Sequence, residues 1–290
     1  MCLNEKSIAN LVKRLSQRFL DSFSRSESKQ MAKELIKNYT SLTEHDFIVN
    51  SHQELSSSII QKLGIDQERI MNGEPFQYVI GSTFFYNAEF KVDQRALIPR
   101  PETEELVDLI IGLLKRKRLD DAHVLDVGTG SGCIALSLKK EFPALNVVGI
   151  DNSTDAISLA RENADKLQLK VDFQCLDVLS DELSGMFDLI VSNPPYIPIR
   201  EKAQMEKHVT HFEPNQALFV ENETPLLFYE RITQIGKNLL KNRGYLAFEV
   251  HENLAKDVEK YVLLNGYVNT KIIKDLQGKE RMVIAQLVIS

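Results

Sequence analysis

Several absences narrow the field before any motif is read. The 290-residue chain contains no apolar run approaching the length of about 18 residues that a membrane-spanning helix needs, so no membrane association is expected. Near the start, Glu5 and Lys6 break up the stretch where a secretory leader would need an uninterrupted apolar core. Cysteine is scarce: Cys2, Cys133 and Cys175 lie far apart with no Cys-x-x-Cys pair. That spacing offers neither a disulfide framework nor a metal site, suits a reducing compartment, and predicts a cytoplasmic protein. Positive charge is not in excess: 35 Lys and Arg face 41 Asp and Glu, a formal net charge of −6. A grip on nucleic-acid phosphates is therefore not expected. No internal repeat or low-complexity tract is evident.

What is present is the composition of a globular protein, 43 % hydrophobic and 26 % charged, long enough for one large domain or two ordinary ones. Residues 1–80 show no strand pattern. Ile8, Leu11, Val12, Leu15 and Phe19 recur at helical spacing. Met31, Leu35 and Ile36 predict a second helix after a Ser-rich break at 22–28. Leu55, Ile59, Ile60 and Leu63 predict a third, closed by Gly64, with a short helix over 66–72 and Gly73 past its end. Acidic and basic residues balance in this region, ten against ten, so it is read as a small helical bundle and not as a nucleic-acid arm. Phe84–Tyr86 and Phe90–Val92 read as a β-hairpin marking the domain junction.

Beyond the hairpin, Pro101 and the acidic residues after it suit the start of a helix reaching Lys115. From Val124 strands and helices alternate: strands at 124–127, 147–150, 171–175 and 189–191, helices at 132–142 and 154–167. A structureless loop is expected over 197–224, then a helix at 225–240, a strand at 245–250, a helix at 253–265 and a terminal strand pair at 267–273 and 281–288. The alternation predicts a doubly wound, mostly parallel α/β sheet with an antiparallel edge.

Two stretches carry chemistry. Val124-Leu-Asp-Val-Gly-Thr-Gly-Ser-Gly132 reads as strand, glycine turn and helix, so Gly128, Thr129, Gly130, Ser131 and Gly132 form a candidate cradle. The next strand ends at Asp151, about 20 residues on, where a carboxylate can accept from both hydroxyls of a ribose. That arrangement serves the adenosine of NAD or of S-adenosylmethionine. Three features favour the second. The glycines depart from Gly-x-Gly-x-x-Gly. Asp126 lies inside the turn, unhelpful beside a pyrophosphate but suited to an amino acid and a sulfonium. Asp177-Val178 follows the next strand, placed to meet an adenine edge through a carboxylate and a backbone N–H. Cys133, opening the helix, is read as a small buried filler. His208 and His211 are read as loop residues, since no further ligands of matching spacing accompany them; no metal is expected.

The second stretch is Phe187-Asp-Leu-Ile-Val-Ser-Asn-Pro-Pro-Tyr196. Its apolar run is that of a strand buried on both faces, and its prolines end the ladder. The strand then presents Asn193, Pro194, Pro195 and Tyr196 beyond its C-terminal edge, where open α/β sheets bind ligands. Asn193 Oδ1 and the Pro194 carbonyl can each accept one N–H of a planar –NH₂ group, fixing its orientation and raising electron density on nitrogen. Tyr196 supplies a flat wall with its hydroxyl at the rim. No general base is needed before methyl transfer.

At these residues the chain resembles the HemK/PrmC-type protein-glutamine N5-methyltransferases, which methylate the glutamine of the Gly-Gly-Gln loop in class I translation release factors. The likeness runs nearly the whole length. It includes Gly73-Glu-Pro-Phe-Gln-Tyr-Val-Ile-Gly81, Leu97-Ile-Pro-Arg-Pro-Glu-Thr-Glu104, the glycine motif, Ser192-Asn-Pro-Pro-Tyr-Ile197, Phe212-Glu-Pro214 and Asp275-Leu-Gln-Gly-Lys-Glu-Arg281. The resemblance implies a Rossmann-like class I methyltransferase sheet of seven strands, S-adenosylmethionine held at Gly128–Gly132, Asp151, Val178 and Asn193, a glutamine site at Asn193–Tyr196, and a release factor as partner. It divides the chain into a docking domain at 1–82, a hairpin linker at 83–98 and a methyltransferase domain at 99–290, expected as a monomer. Phe219–Leu227 replaces a glycine-rich stretch of many relatives, and Phe248-Glu-Val-His-Glu252 stands where many carry a glycine and then a glutamine. Asn-Pro-Pro-Tyr alone is shared with enzymes that methylate exocyclic amines of adenine or guanine in DNA or RNA. That reading needs a basic groove for a flipped base, which the charge disfavours. A non-enzymatic adaptor is disfavoured because the acceptor motif is intact.

Overall fold

The computed structural model describes residues 6–205 and 207–289, without the side chains of Gln204, Lys207 and His208; Cys2, Glu5 and the side chain of His208 thus lie outside the described residues. The chain forms two compact units, residues 1–81 and 82–290.

The first unit is helical: α1 (Ile8–Phe19), α2 (Arg25–Asn38), α3 (Asp46–Val49), α4 (Ser57–Met71) and α5 (Phe76–Ile80). Its core is the predicted stripe of α1 packed on Ala32, Leu35 and Ile36 of α2 and Leu63 and Ile70 of α4. The Ser-rich break is shorter than expected, because Ser24 caps α2: its Oγ accepts from Glu27 N, and the Glu27 carboxylate accepts from Ser24 N. Gly64 does not close a helix either. α4 runs through it and absorbs the expected short helix at 66–72, since one interior glycine costs about 1 kcal/mol while Leu63 and Ile70 on either side are buried. The stop comes at Gly73, in left-handed backbone at φ 90°.

The second unit opens with the hairpin β1 (Ser82–Phe85) and β2 (Ala88–Lys91). Phe85, Ala88 and Phe90 join this unit's core, so the hairpin is part of the domain and not a linker. Buried Asn163 anchors it, accepting from Lys91 N at 2.7 Å and donating to Lys91 O and Ser131 O. There follow α6 (Pro101–Lys117), β3 (His123–Val127), α7 (Cys133–Glu141), β4 (Asn146–Asp151), α8 (Thr154–Leu167), β5 (Asp172–Cys175) and β6 (Phe187–Ser192). The stretch 197–224, expected to be structureless, holds β7 (Ile197–Pro198), a 3-10 turn (Ile199–Gln204), α9 (Lys207–Phe212), α10 (Asn215–Leu218) and β8 (Phe219–Val220), with β7 and β8 paired. α11 (Leu227–Leu239), β9 (Leu240–Glu249), α12 (Ala255–Leu264), β10 (Tyr267–Lys274) and β11 (Glu280–Leu287) complete the chain.

The main sheet has seven strands in the order β10-β11-β9-β6-β3-β4-β5. β5, β4, β3, β6 and β9 run parallel, and β11 is antiparallel to β9 and β10, which is the expected edge. Both faces are covered, which is why the central strands read as continuous apolar runs: Leu189 and Val191 face one core, Ile190 the other. β9 begins five residues earlier than expected, through an irregular stretch with Arg243 in left-handed backbone. Strand order reverses at β3, with β4 and β5 to one side and β6 and β9 to the other. The cleft at the carboxyl ends of β3, β4 and β6 is the place such a sheet offers a ligand.

Candidate functional site

The glycine turn is built from β3 outward. Gly128 N and Thr129 N both donate to Ile150 O at 2.9 Å, folding the turn back over β4. Gly128, Gly130 and Gly132 have φ of 73°, 54° and 80°, a region that side chains disfavour. Asp126 lies beneath the turn and does not line the cavity, contrary to the reading that faced it toward a sulfonium. Its Oδ2 accepts from Thr129 Oγ1 at 2.7 Å and from Ala135 N at 3.3 Å, so it braces the turn from below. Burial pushes its carboxyl up to about 7, against the pull of those bonds.

Asp151 closes the turn from the side. Its Oδ2 accepts from Gly130 N at 2.9 Å and its Oδ1 from Ser153 N at 3.0 Å. Ser153 in turn caps α8. Burial raises the Asp151 carboxyl above the usual range. Farther along, Asp177 Oδ1 accepts from Leu179 N, an Asx turn, and Arg231 Nε donates to Val178 O, fixing the segment after β5.

These elements enclose one cavity. Gly128, Thr129, Gly130, Ser131, Asp151, Asp177, Val178, Asn193, Pro194 and Pro195 line it together. Gly132 does not. A Cβ there would meet Phe173 at 3.0 Å, Leu136 at 3.1 Å and Ala160 at 3.2 Å, so this glycine serves helix–sheet packing. A Cβ at Gly128 would meet nothing within 4 Å. Gly132→Ala should therefore destabilise the domain by about 1–3 kcal/mol in urea unfolding, from overpacking and backbone strain. Gly128→Ala carries the backbone strain without the overpacking, so it should destabilise less than Gly132→Ala while also weakening ligand binding, read by calorimetry. Cys133 is buried and its thiol is pushed up to about 12 by burial, as suits a filler.

A second cavity adjoins the first, lined by Asn193, Pro194, Tyr196, Ile197, Leu97, Arg100 and Glu249 among others. Asn193 and Pro194 line both. Asn193 Nδ2 donates to Thr103 Oγ1 at 3.1 Å, and Thr103 donates to Glu249 Oε2 at 2.7 Å. Tyr196 Oη does not sit at the rim as expected; it turns inward and donates to Glu249 Oε1 at 3.2 Å. Burial, then the Glu249 charge, pushes the Tyr196 phenol up. Arg100 pairs with buried Glu213, which also accepts from Ile98 N at 3.2 Å, tying the segment around α9 and α10 to the chain entering α6. Arg100, Thr103, Glu213 and Glu249 carried no signal from periodicity. The first three lie in motifs marked only by family resemblance.

An acidic strand end beside a glycine cradle, with Asp177-Val178 on the opposite wall, fits an adenosine and its amino-acid tail; the open space at Gly128 admits a group that a Cβ would exclude. Among solved structures, a methyltransferase from Pyrococcus furiosus superposes with a TM-score of 0.54 at 18 % identity, covering 78 % of this chain and 100 % of that one. The fold is the Rossmann-like sheet of the class I methyltransferases.

Residues 10–81 match the PrmC N-terminal domain and residues 107–218 the methyltransferase small domain. The release factor glutamine methyltransferase of Bacteroides thetaiotaomicron is 43 % identical over 219 residues, 75 % of this chain and 77 % of that one. Its namesake from Streptococcus pneumoniae is 35 % identical over 281 residues, 96 % and 97 % of the two chains. The chain belongs to the release factor glutamine methyltransferase family. Among the described residues no helix is long and apolar enough to cross a membrane.

Proposed function

We propose that this enzyme transfers a methyl group from S-adenosylmethionine to the side-chain amide nitrogen of the glutamine in the Gly-Gly-Gln loop of class I release factors. The observation that carries the reading is the placement of Asn193 and Pro194 on the wall common to both cavities, where methyl donor and acceptor nitrogen must meet. S-adenosylmethionine supplies an electrophilic methyl group when bound. Gly128, Thr129, Gly130 and Ser131 cradle its amino-acid end, Asp151 accepts from its ribose, and Asp177 and Val178 meet its adenine. Asn193 Oδ1 and the Pro194 carbonyl accept the two N–H groups of the glutamine amide, and Pro195 and Tyr196 confine it. Holding the nitrogen in line with the methyl group is the main task, since an amide lone pair is delocalised and misalignment is costly. Pro194 is buried and Asn193, Pro195 and Tyr196 are half-buried, which limits the water that would compete for those N–H groups. Mass spectrometry of a purified release factor after incubation with enzyme and S-adenosylmethionine should find one methyl group on the loop glutamine; transfer to DNA or RNA amines instead would overturn the assignment.

The helical unit of residues 1–81 is assigned to docking the release factor. Its match to the PrmC N-terminal domain supports this, as does the confinement of both cavities to residues of the second unit. A chain beginning at Ser82 keeps the hairpin core and should bind S-adenosylmethionine like the full enzyme. Its kcat/KM on intact release factor should fall at least about 10-fold, because remote binding energy is lost. Full turnover by a folded truncated chain would remove the docking role.

A further inference from the structure

Glu249 is the last residue of β9 and is 1 % exposed. Each of its oxygens takes one hydroxyl from a residue of the acceptor wall: Oε2 from Thr103, Oε1 from Tyr196. Thr103 is itself buried and takes Asn193 Nδ2 on its oxygen. The chemistry of these groups gives the chain a direction. A hydroxyl has one hydrogen, and an ionised carboxylate can only accept. The Thr103 hydrogen must therefore point to Glu249, which leaves a lone pair for Asn193. Only the –NH₂ half of the Asn193 carboxamide can use that lone pair, so Oδ1 is turned away from Thr103. A neutral group of the same shape at position 249 removes the constraint. It can donate to Thr103, Thr103 can then donate to Asn193 Oδ1, and the carboxamide can rotate by half a turn. The flipped amide would present hydrogens to an incoming –NH₂ group.

Resting on the glutamine-amide reading of the site, we propose that Glu249 is a positioning residue which, through Thr103, fixes the sense of the Asn193 carboxamide and, through its other oxygen, holds Tyr196. The acceptor site is assembled while Glu249 is ionised. Burial pushes this carboxyl up to about 7; the bonds from Thr103 and Tyr196 and the charge of Arg281 on β11 pull it down, and Glu102 on α6 adds to the rise. Tyr229 of α11 donates to the Glu249 backbone carbonyl and not to the carboxylate. The sign follows: above about pH 7 the acceptor-only form dominates, and as pH falls through that value the constraint on Asn193 is lost.

The test uses the full-length enzyme and purified release factor in single-turnover reactions from pH 6 to 9, roughly one to two units either side of the Glu249 midpoint. The wild-type rate should rise with pH through about 7. Glu249→Gln should lower the rate at pH 8 by about 10–100-fold and flatten the profile, with KM for release factor and the calorimetric affinity for S-adenosylmethionine little changed. Thr103→Val should reproduce both effects, and Thr103→Ser should restore most of the rate lost in Thr103→Val. If Glu249 instead took a proton from substrate directly, Thr103→Val would keep the rate and the pH profile, and the positioning role would be refuted. Wild-type behaviour in Glu249→Gln alongside an inactive Asn193→Ala would refute the inference and leave the amide clamp standing. Wild-type behaviour in both would remove the clamp and the inference together. Should Glu249→Gln fail to fold, the Thr103→Val and Thr103→Ser pair decides alone.

Discussion

Asn193→Ala lowers single-turnover methylation of release factor by about 10²–10³-fold, by analogy with deleting one preorganised hydrogen-bonding group. The side chain occupies the wall common to both cavities, so its loss frees the substrate amide to rotate next to the methyl donor. It also removes an interaction that strengthens as the nitrogen becomes positive. Asn193→Asp is the sharper variant. It keeps the size and one acceptor, but replaces the donor that meets Thr103 Oγ1 with a second carboxylate oxygen. Thr103 has one hydrogen and already gives it to Glu249. The two carboxylates then face each other across one hydroxyl, and the new one is pushed out of line. A negative charge near the sulfonium tightens cofactor binding in the ground state, so calorimetric affinity survives or improves while turnover falls. Near wild-type rates in both variants would place the acceptor nitrogen elsewhere.

The elements that sequence located best are those whose signal is local. α8 spans 154–167 as read, because its apolar stripe, Ser153 cap and end agree with one another. β6 was legible from Leu189-Ile190-Val191, since burial on both faces leaves no polar alternation. The segment 197–224 was not legible for the opposite reason. Its strands are two residues long and its helices four to six, too short for a periodicity to be counted. It is ordered by contacts such as Glu213 with Ile98 N, 115 residues away in sequence. Gly64 shows propensity overruled by packing.

The site divides along the same line. The glycine turn, Asp151 and Asn-Pro-Pro-Tyr are contiguous motifs at strand ends, and the fold brings their lining residues around one pair of cavities. Gly132 belongs to the motif but serves packing, a difference that only Phe173 and Ala160 on other elements reveal. Glu249 reads in sequence as the end of a core strand. Its meaning depends on Thr103, 146 residues earlier, and on Tyr196, 53 residues earlier. A carboxylate whose partners are that distant leaves no trace in any window of the sequence. The inward turn of the Tyr196 hydroxyl follows from the same contact.

Asp151→Ala weakens S-adenosylmethionine binding by about 100-fold or more, since hydrogen bonds to a charged acceptor in a partly dry site contribute about 1.5–3 kcal/mol each and two ribose hydroxyls are lost. The same carboxylate holds Gly130 N and Ser153 N, one on each oxygen, so the substitution also loosens the glycine turn it faces. A conservative amide does not rescue it. In Asp151→Asn the single oxygen satisfies either Gly130 N or Ser153 N, and the –NH₂ group must confront the other N–H, donor against donor. The turn then shifts in either orientation of the amide, carrying the side chain out of register with the ribose hydroxyls. Asp151→Asn should therefore bind S-adenosylmethionine no better than Asp151→Ala, where a simple loss of charge would leave it in between. Asp151→Glu keeps both oxygens but lengthens the reach from the end of β4, and should recover part of the turn at the expense of the ribose. Calorimetry on the three variants, with folding checked by urea unfolding, separates these outcomes. Wild-type affinity in a folded Asp151→Ala enzyme would exclude this carboxylate from the nucleoside site, and an Asp151→Asn enzyme close to wild type would show that the turn is held by other contacts.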